Sequence, residues 1–359
     1  MHRRAPAKRQ RLLRIRCLSA GGNNESQDSF ACMGTPPPPI LVSFRSFDDL
    51  LEALPVDGRE EYRQELQQLY DKVLPPVISI SILSVLFGLS ASFIASMLRR
   101  PHKHYRHFVI KKGRKRREIY APKVGLKLFQ RWIGHHLAEA LNYPDCVLGF
   151  VPHKSGVFSA ANTHCSARWV YSLDLKDFFS QVTGERLSAP LIGLGYSQKS
   201  TSIILKICLF NGFLPQGSPA SPVLSNLAFE PTDRELSNLA KQHGVRYTRY
   251  ADDLVFSGEA LPPEGFEAQV KEILAVNNWE IAKEKEHFAA LPARLKVHGL
   301  LVHGARPRLT KGYRNKIRAY RHLLNTGRVK PGDLARVKGH VSYSDCLDHF
   351  VENGAFEPK

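Results

Sequence analysis

The sequence predicts an α+β fold, and three observations carry that prediction. Trp169-Val170-Tyr171-Ser172-Leu173-Asp174 is a strand-like apolar run that ends in an acid. Arg249-Tyr250-Ala251-Asp252-Asp253-Leu254-Val255-Phe256 sets two adjacent acids between short runs rich in aromatic and β-branched residues. That is the pattern of a tight β-hairpin with the acids at its tip. Stretches with helical character flank these strands, from Phe47 to Val73 and again from Lys311 onward.

The elements follow in chain order. Residues 1–40 stand apart in composition. Arg3, Arg4, Lys8, Arg9, Arg11, Arg14 and Arg16 form a basic run, followed by Gly21-Gly22-Asn23-Asn24 and Pro36 to Pro39. No apolar stretch follows that could act as a signal segment. A disordered basic tail is expected, with Met33 as an alternative start to Met1. Phe47 to Val73 reads as one amphipathic helix with Leu50, Leu51, Leu54, Tyr62, Leu66, Leu69 and Tyr70 on its apolar side, and Pro55 to Gly58 as a place where it could break. Val77 to Met97 carries no charge and is long enough to span a bilayer. Six serines spread through it and an interrupting Gly88 argue against a membrane span. They favour two short packed helices, the second capped by Ser90. Six cysteines, at 17, 32, 146, 165, 208 and 346, have no metal-ligand spacing, so neither disulfides nor structural zinc is expected.

The acids carry the chemistry. Asp252 and Asp253 repel each other, and a divalent cation removes that conflict. An unliganded acidic turn fits the same two residues. Asp174 supplies a third carboxylate from a separate strand, as a two-metal phosphoryl-transfer site requires. A helix N-cap is its plainer role. Between them, Leu214-Pro215-Gln216-Gly217-Ser218-Pro219-Ala220-Ser221-Pro222 is dense in Gly and Pro, which lets backbone approach a ligand closely. A bland turn fits that composition too. The helix start Val223-Leu224-Ser225-Asn226-Leu227-Ala228 follows.

Acid strand, Gln-Gly-Ser-Pro loop and Tyr-Ala-Asp-Asp hairpin, in that order, closely resemble the first, second and third palm motifs of reverse transcriptases. The resemblance runs from about Pro76 to the C-terminus. It implies a right-hand polymerase: N-terminal helices and fingers over 41–168, a palm with a ferredoxin-like sheet over 169–305, and a helical thumb over 306–359. It also implies RNA-directed DNA synthesis from deoxynucleoside triphosphates with two Mg2+ ions. The finer pattern is similar to bacterial retron enzymes. Tyr105 to Gly113 and Arg117-Glu118-Ile119-Tyr120-Ala121-Pro122 resemble their fingers hairpin. His164 stands ten positions before Asp174, where their Asn-Ala-x-x-His element ends, although Ala160 replaces its Asn. Val297-His298-Gly299 stands where they have Val-Thr-Gly.

The resemblance assigns roles residue by residue. Asp174 and Asp252 would hold both ions, assisted by Asp253. Lys112 and Arg117 would meet the triphosphate, where cations neutralise developing charge. Phe179, five positions after Asp174, matches the steric gate against a ribose 2′-hydroxyl. Phe178 and Phe179 could equally both be core. Gln216 and Gly217 would lie against the incoming nucleotide. Lys285 matches the lysine that serves the leaving pyrophosphate, with Glu286 where the family has Thr. His164 and His298 are candidate RNA contacts.

Charge completes the reading. Lys and Arg number 51 against 33 Asp and Glu, a net +18, which draws a polyanion and makes its binding salt-dependent. Lys311, Arg314, Lys316, Arg318 and Arg321, interleaved with Tyr313 and Tyr320, suit the backbone of a duplex. An ordinary helix pair with charged outer faces is the competing view. For a retron enzyme the implied partners are a structured non-coding RNA, serving as template and primer, its RNA–DNA duplex, and a separate effector protein in antiphage defence. The implied setting is the bacterial cytoplasm, with no membrane.

Overall fold

The computed structural model describes residues 46–353, apart from 55, 113, 114 and 155. The basic tail and both candidate starts lie outside the described residues. The chain divides into two compact units: one is the chain up to Leu141 with Val182–Ala228, the other Asn142–Gln181 with everything from Phe229.

In the first unit the expected 47–73 helix is two helices, Phe47–Glu52 and Val56–Asp71. Ser46 starts the first with a capping box: its Oγ accepts from the Asp49 amide (3.1 Å) and its own amide donates to Asp49 Oδ2 (3.2 Å). The break falls between Glu52 and Val56. The apolar segment after it forms two helices, Ile80–Phe87 and Ala91–Arg99. Gly88 closes the first in the left-handed region (φ 60°), and the Ser90 hydroxyl caps the second by accepting from Phe93 N. Among the described residues no helix is long and apolar enough to cross a membrane. An antiparallel hairpin follows, β1 (Tyr105–Lys112) and β2 (Lys115–Pro122), with Tyr105 opposite Pro122. Helices Val124–Ala140, Gly184–Leu194 and Gln198–Cys208 bury Phe129, Trp132, Ile133, Leu187, Leu191 and Ile204. Phe87 stacks on Phe129 at 4.0 Å.

The second unit is built on β3 (Trp169–Asp174), β4 (Arg246–Tyr250), β5 (Asp253–Gly258) and β6 (His287–Ala290), all antiparallel, in spatial order β4-β5-β3-β6. Helix Ser221–Gln242 precedes β4, and helix Phe266–Val276 lies between β5 and β6. This is the ferredoxin-like βαββαβ arrangement. Side chains alternate across it. Trp169, Leu254 and Phe256 belong to a face that packs on Phe266, whose ring lies 5.4 Å from Phe256. Val170 and Val255 face the other way, into a core shared with Phe158, Leu295, Leu300, Ile317, Leu347 and Phe350. That core also takes in a small sheet, β7 (Lys296–Val297), β8 (Leu300–Leu301) and β9 (Arg308–Leu309), and the C-terminal helices Lys311–Asn325 and Leu334–Asn353.

The compact units cut across the three expected segments. The C-terminal helices share one apolar core with the palm sheet, whereas 182–228 clusters with the N-terminal helices. Burial groups chain segments by the surfaces they cover, not by motif order.

A carboxylate site on the palm sheet

The register of β3 against β5 sets Asp174 directly opposite Asp253. Opposed residues share one sheet face with Cβ atoms about 5 Å apart, so two like charges are forced together. The turn between β4 and β5 consists of Ala251 and Asp252, closed by the pair Tyr250–Asp253. Ala251 has φ 59°, in the left-handed region that non-glycine residues rarely adopt. Asp252 is tied to the acid strand through its carbonyl, which accepts from Leu175 N at 2.9 Å.

The segment 146–149 backs this turn. Arg249 N donates to the Cys146 carbonyl (2.7 Å), and Leu148 N donates to the Arg249 carbonyl (2.9 Å). Gly149 is required by close approach: a Cβ there would stand 2.4 Å from Ala251 N. Arg249 itself is fully buried. Its Nε and Nη2 donate to both carboxylate oxygens of buried Asp233 (2.9, 3.1 and 2.6 Å), and its Nη1 donates to the Ala251 carbonyl (3.2 Å). The Phe229 ring lies 4.8 Å from the guanidinium, and Tyr247 Oη donates to Asp233 at 2.8 Å.

Lys285 reaches the same place. Ala282 N donates to the Asp174 carbonyl (2.8 Å), so the chain runs alongside the acid strand and a single short helical turn, Lys283–Lys285, brings the ammonium onto the Asp174 carboxylate. Burial pushes the Asp174 carboxyl up to about 6, with the charges of Asp252 and Asp253 adding and Lys285 opposing. Burial pushes Asp253 the same way, but His298 outweighs it, helped by Asp174 and Lys285, and the net is below the usual carboxylate range. Burial works against the Lys285 charge, but Asp174, Asp252 and Asp253 raise it above the ordinary lysine value.

This donor set fits a hard divalent cation. Carboxylate oxygens are its preferred ligands, and a cation relieves the repulsion that burial intensifies at Asp174. Among the described residues no three acidic, His or Cys side chains form a closed cage. An ion held by one or two carboxylates with water and substrate oxygens is the usual mode for Mg2+.

The other expected site residues fall as follows. Phe178 is core, against Phe229 and Trp279, whereas Phe179 is half-buried beside Phe150. In the first unit, Gln216 accepts from Tyr120 N through its carbonyl (2.9 Å). Gly217 has φ 119°, and a Cβ there would stand 3.2 Å from the Tyr120 carbonyl. The loop is held below by Ser218, whose hydroxyl donates to buried Gln130 (2.8 Å). Arg117 is exposed on β2 and Lys112 ends β1. Lys311, Arg314 and Arg318 are exposed along one face of their helix.

Two expected RNA contacts, His164 and His298, are corrected. His164 is fully buried, its ring nitrogens 2.7 Å from Ser257 Oγ and 2.7 Å from Thr248 Oγ1, so it braces β4 and β5 and presents nothing to a ligand. His298 turns inward: its Nδ1 is 3.5 Å from Asp253 Oδ2 and its ring packs 5.3 Å from Tyr250. Arg321 pairs with Asp345 at 2.5 Å between the two C-terminal helices and stays exposed beside Lys311, Arg314 and Arg318. The sequence reading missed Arg249, Asp233 and the true place of His298. Glu286, the departure from Thr, accepts from Tyr171 Oη (3.0 Å) and pairs with Lys271 (2.5 Å), so it belongs to the sheet and leaves Lys285 on Asp174.

Residues 109–310 match the family described as reverse transcriptase (RNA-dependent DNA polymerase). The chain belongs to the reverse transcriptases. Within them it is of the bacterial retron type. It is similar to the retron Ec86 reverse transcriptase of Escherichia coli, 28% identical over 77% of this chain and 86% of that one. It is also similar to the retron Mx65 reverse transcriptase of Myxococcus xanthus, 32% identical over 70% of this chain and 64% of that one. Among solved structures, apo telomerase from Candida tropicalis aligns at a TM-score of 0.44 and 11% identity, over 62% of this chain and 61% of that one. The β3–β5 register sets Asp174 against Asp253, and the β4–β5 turn places Asp252 beside them.

Proposed function

We propose that this reverse transcriptase copies part of a cognate structured RNA into DNA, priming from a guanosine 2′-hydroxyl of that RNA and leaving a branched RNA–DNA product, in antiphage defence with a separate effector protein. The observation that carries the catalytic half of this reading is the register of Asp174 opposite Asp253, with Asp252 in the turn between the strands. Asp174 and Asp252, with Asp253, would hold two Mg2+ ions. Such ions lower the barrier by activating the attacking hydroxyl and neutralising charge on the leaving pyrophosphate.

This chain's own residues do the rest. Lys285, whose charge is stabilised by the acids, stands ready to donate a proton or a hydrogen bond to the leaving oxygen. Phe179, half-buried after the acid strand, excludes a ribose 2′-hydroxyl. Lys112 and Arg117 neutralise the triphosphate, and Gln216 and Gly217 present a backbone already fixed by Tyr120 and Ser218. Lys311, Arg314 and Arg318 grip duplex phosphates by charge, without reading sequence.

The test is to express the protein with its native flanking DNA and run the co-purifying nucleic acid on a denaturing gel, with and without RNase and debranching treatment. A short DNA that shifts on RNase treatment and is absent from Asp252→Asn supports the reading. RNA without DNA, from a protein that still extends an added primer-template, would leave a reverse transcriptase of another type.

A further inference from the structure

The turn that carries Asp252 rests on a buried charge pair, Arg249 and Asp233. A buried ion pair is weak evidence for stability, because apolar residues of similar volume often serve as well. Arg249 and Asp233 are both fully buried, yet the guanidinium does more than meet its counter-ion. Two of its nitrogens fork onto Asp233, and the third, Nη1, reaches along the strand to the Ala251 carbonyl. Ala251 holds the left-handed conformation, which persists in a non-glycine residue only where surroundings over-determine it. The constraints on that turn include the Arg249 fork, the Cys146 and Leu148 hydrogen bonds, the Leu175 amide on the Asp252 carbonyl, and the bare Cα of Gly149 against Ala251 N.

We propose that Arg249 and Asp233 are positioning residues: together they set the backbone of the Ala251–Asp252 turn, and so the aim of Asp252 and Asp253 at a divalent cation. The inference rests on the reading of these acids as metal ligands. A planar fork is required because two directions must be met at once, and a lysine offers only a point charge. Phe229 beneath the guanidinium and Tyr247 on Asp233 keep both partners from turning.

The test compares wild type, Arg249→Lys, the double variant Arg249→Met with Asp233→Leu, and Asp252→Asn. Four properties are read: thermal melting, RNA binding, Mn2+ binding by electron paramagnetic resonance, and primer extension against deoxynucleotide concentration. The double variant removes the charges as a pair but leaves the Tyr247 hydroxyl without its acceptor, so it should stay folded with a modestly lowered melting temperature. It should bind Mn2+ about tenfold more weakly, as loss of outer support to metal ligands does. Its turnover at saturating nucleotide should fall about 100-fold, with KM within about twofold. Arg249→Lys keeps the charge and the fold, and should shift Mn2+ binding and turnover the same way. Wild-type Mn2+ affinity and turnover in either folded variant would overturn the proposal. If the double variant fails to fold, Arg249→Lys decides. Wild-type protein that neither binds Mn2+ nor extends a primer would instead overturn the underlying reading, and Asp252→Asn separates the two cases.

Discussion

The molecule contains two antiparallel hairpins that the chain anchors in opposite ways. In the first unit β1 and β2 form a two-stranded sheet of eight-residue strands, and Phe108, Val109 and Ile110 stay 45–48% exposed. In the second unit β4 and β5 are shorter, yet Thr248, Arg249, Leu254, Val255 and Phe256 are buried. A two-stranded hairpin is marginal alone, and exposed apolar residues along it add little to the fold. The palm hairpin gains β3 alongside, His164 and the Val170 core on one face, and Arg249 with Asp233 at its root. Hairpin formation is local, but rigidity comes from what covers the faces. Asp253 and the turn residue Asp252 belong to the covered hairpin.

The largest break in this contrast should come from Asp252→Asn. Synthesis should fall by on the order of a thousandfold or more, because a metal ligand controls several kcal/mol of charge stabilisation. RNA binding, measured by filter retention, should stay within about twofold, since the substitution changes one turn carboxylate and removes no core residue; near-wild-type synthesis would remove Asp252 from the ligand set.

His164 sharpens the contrast through pH. Burial, then Arg246 and His298, lowers its pKa to about 3, so it is neutral between its two hydroxyl partners. The unfolded chain protonates it below about 6.5. Its contribution is therefore intact above that pH and is lost progressively as pH falls toward 3, by roughly a few kcal/mol in all. Denaturant unfolding at pH 7 and pH 4.5 should show this slope in wild type and a flatter one in His164→Gln. What remains should include His136, lowered to about 4 by burial in the first unit.

Gly149→Ala attacks the palm hairpin from behind. The added Cβ meets Ala251 N, so stability should drop by about 1–3 kcal/mol, with synthesis falling further than RNA binding. An unchanged melting temperature and rate would mean the 146–149 segment yields freely. Phe179→Ala should leave stability nearly untouched and raise ribonucleotide incorporation by about tenfold or more, read from single-nucleotide extension. No change in that ratio would move the gate elsewhere. The smallest effect is expected in the fingers hairpin, where Phe108→Thr should change unfolding free energy by no more than about 0.5 kcal/mol. A larger loss would show that this exposed hairpin is anchored after all.

Local features were readable because their causes are local. The adjacent acids mark a turn, Gly88 and Ser90 mark a helix end and a helix start, and the run 169–174 ends in its acid; each depends on a few neighbouring residues. The break between Glu52 and Val56 was legible as an option near the Pro55–Gly58 segment. Motif order singled out Asp174, Asp252 and Asp253 before their positions were known. His164 and His298 were misread because a polar side chain looks the same in sequence whether it faces solvent, a hydroxyl pair or a carboxylate.

By itself the sequence determined the α+β class, the turn that bears Asp252, the caps of the early helices and the strong positive charge, since all of these follow from short-range periodicity, turn chemistry or composition. Only the tertiary structure decided that Asp174 stands opposite Asp253, that Lys285 lies on Asp174, that Arg249 braces the turn through Asp233, and that the C-terminal helices share the palm's core. Those pairings join residues far apart in the chain, and they are selected by which register buries the apolar faces, a property of the whole sheet and not of any single segment.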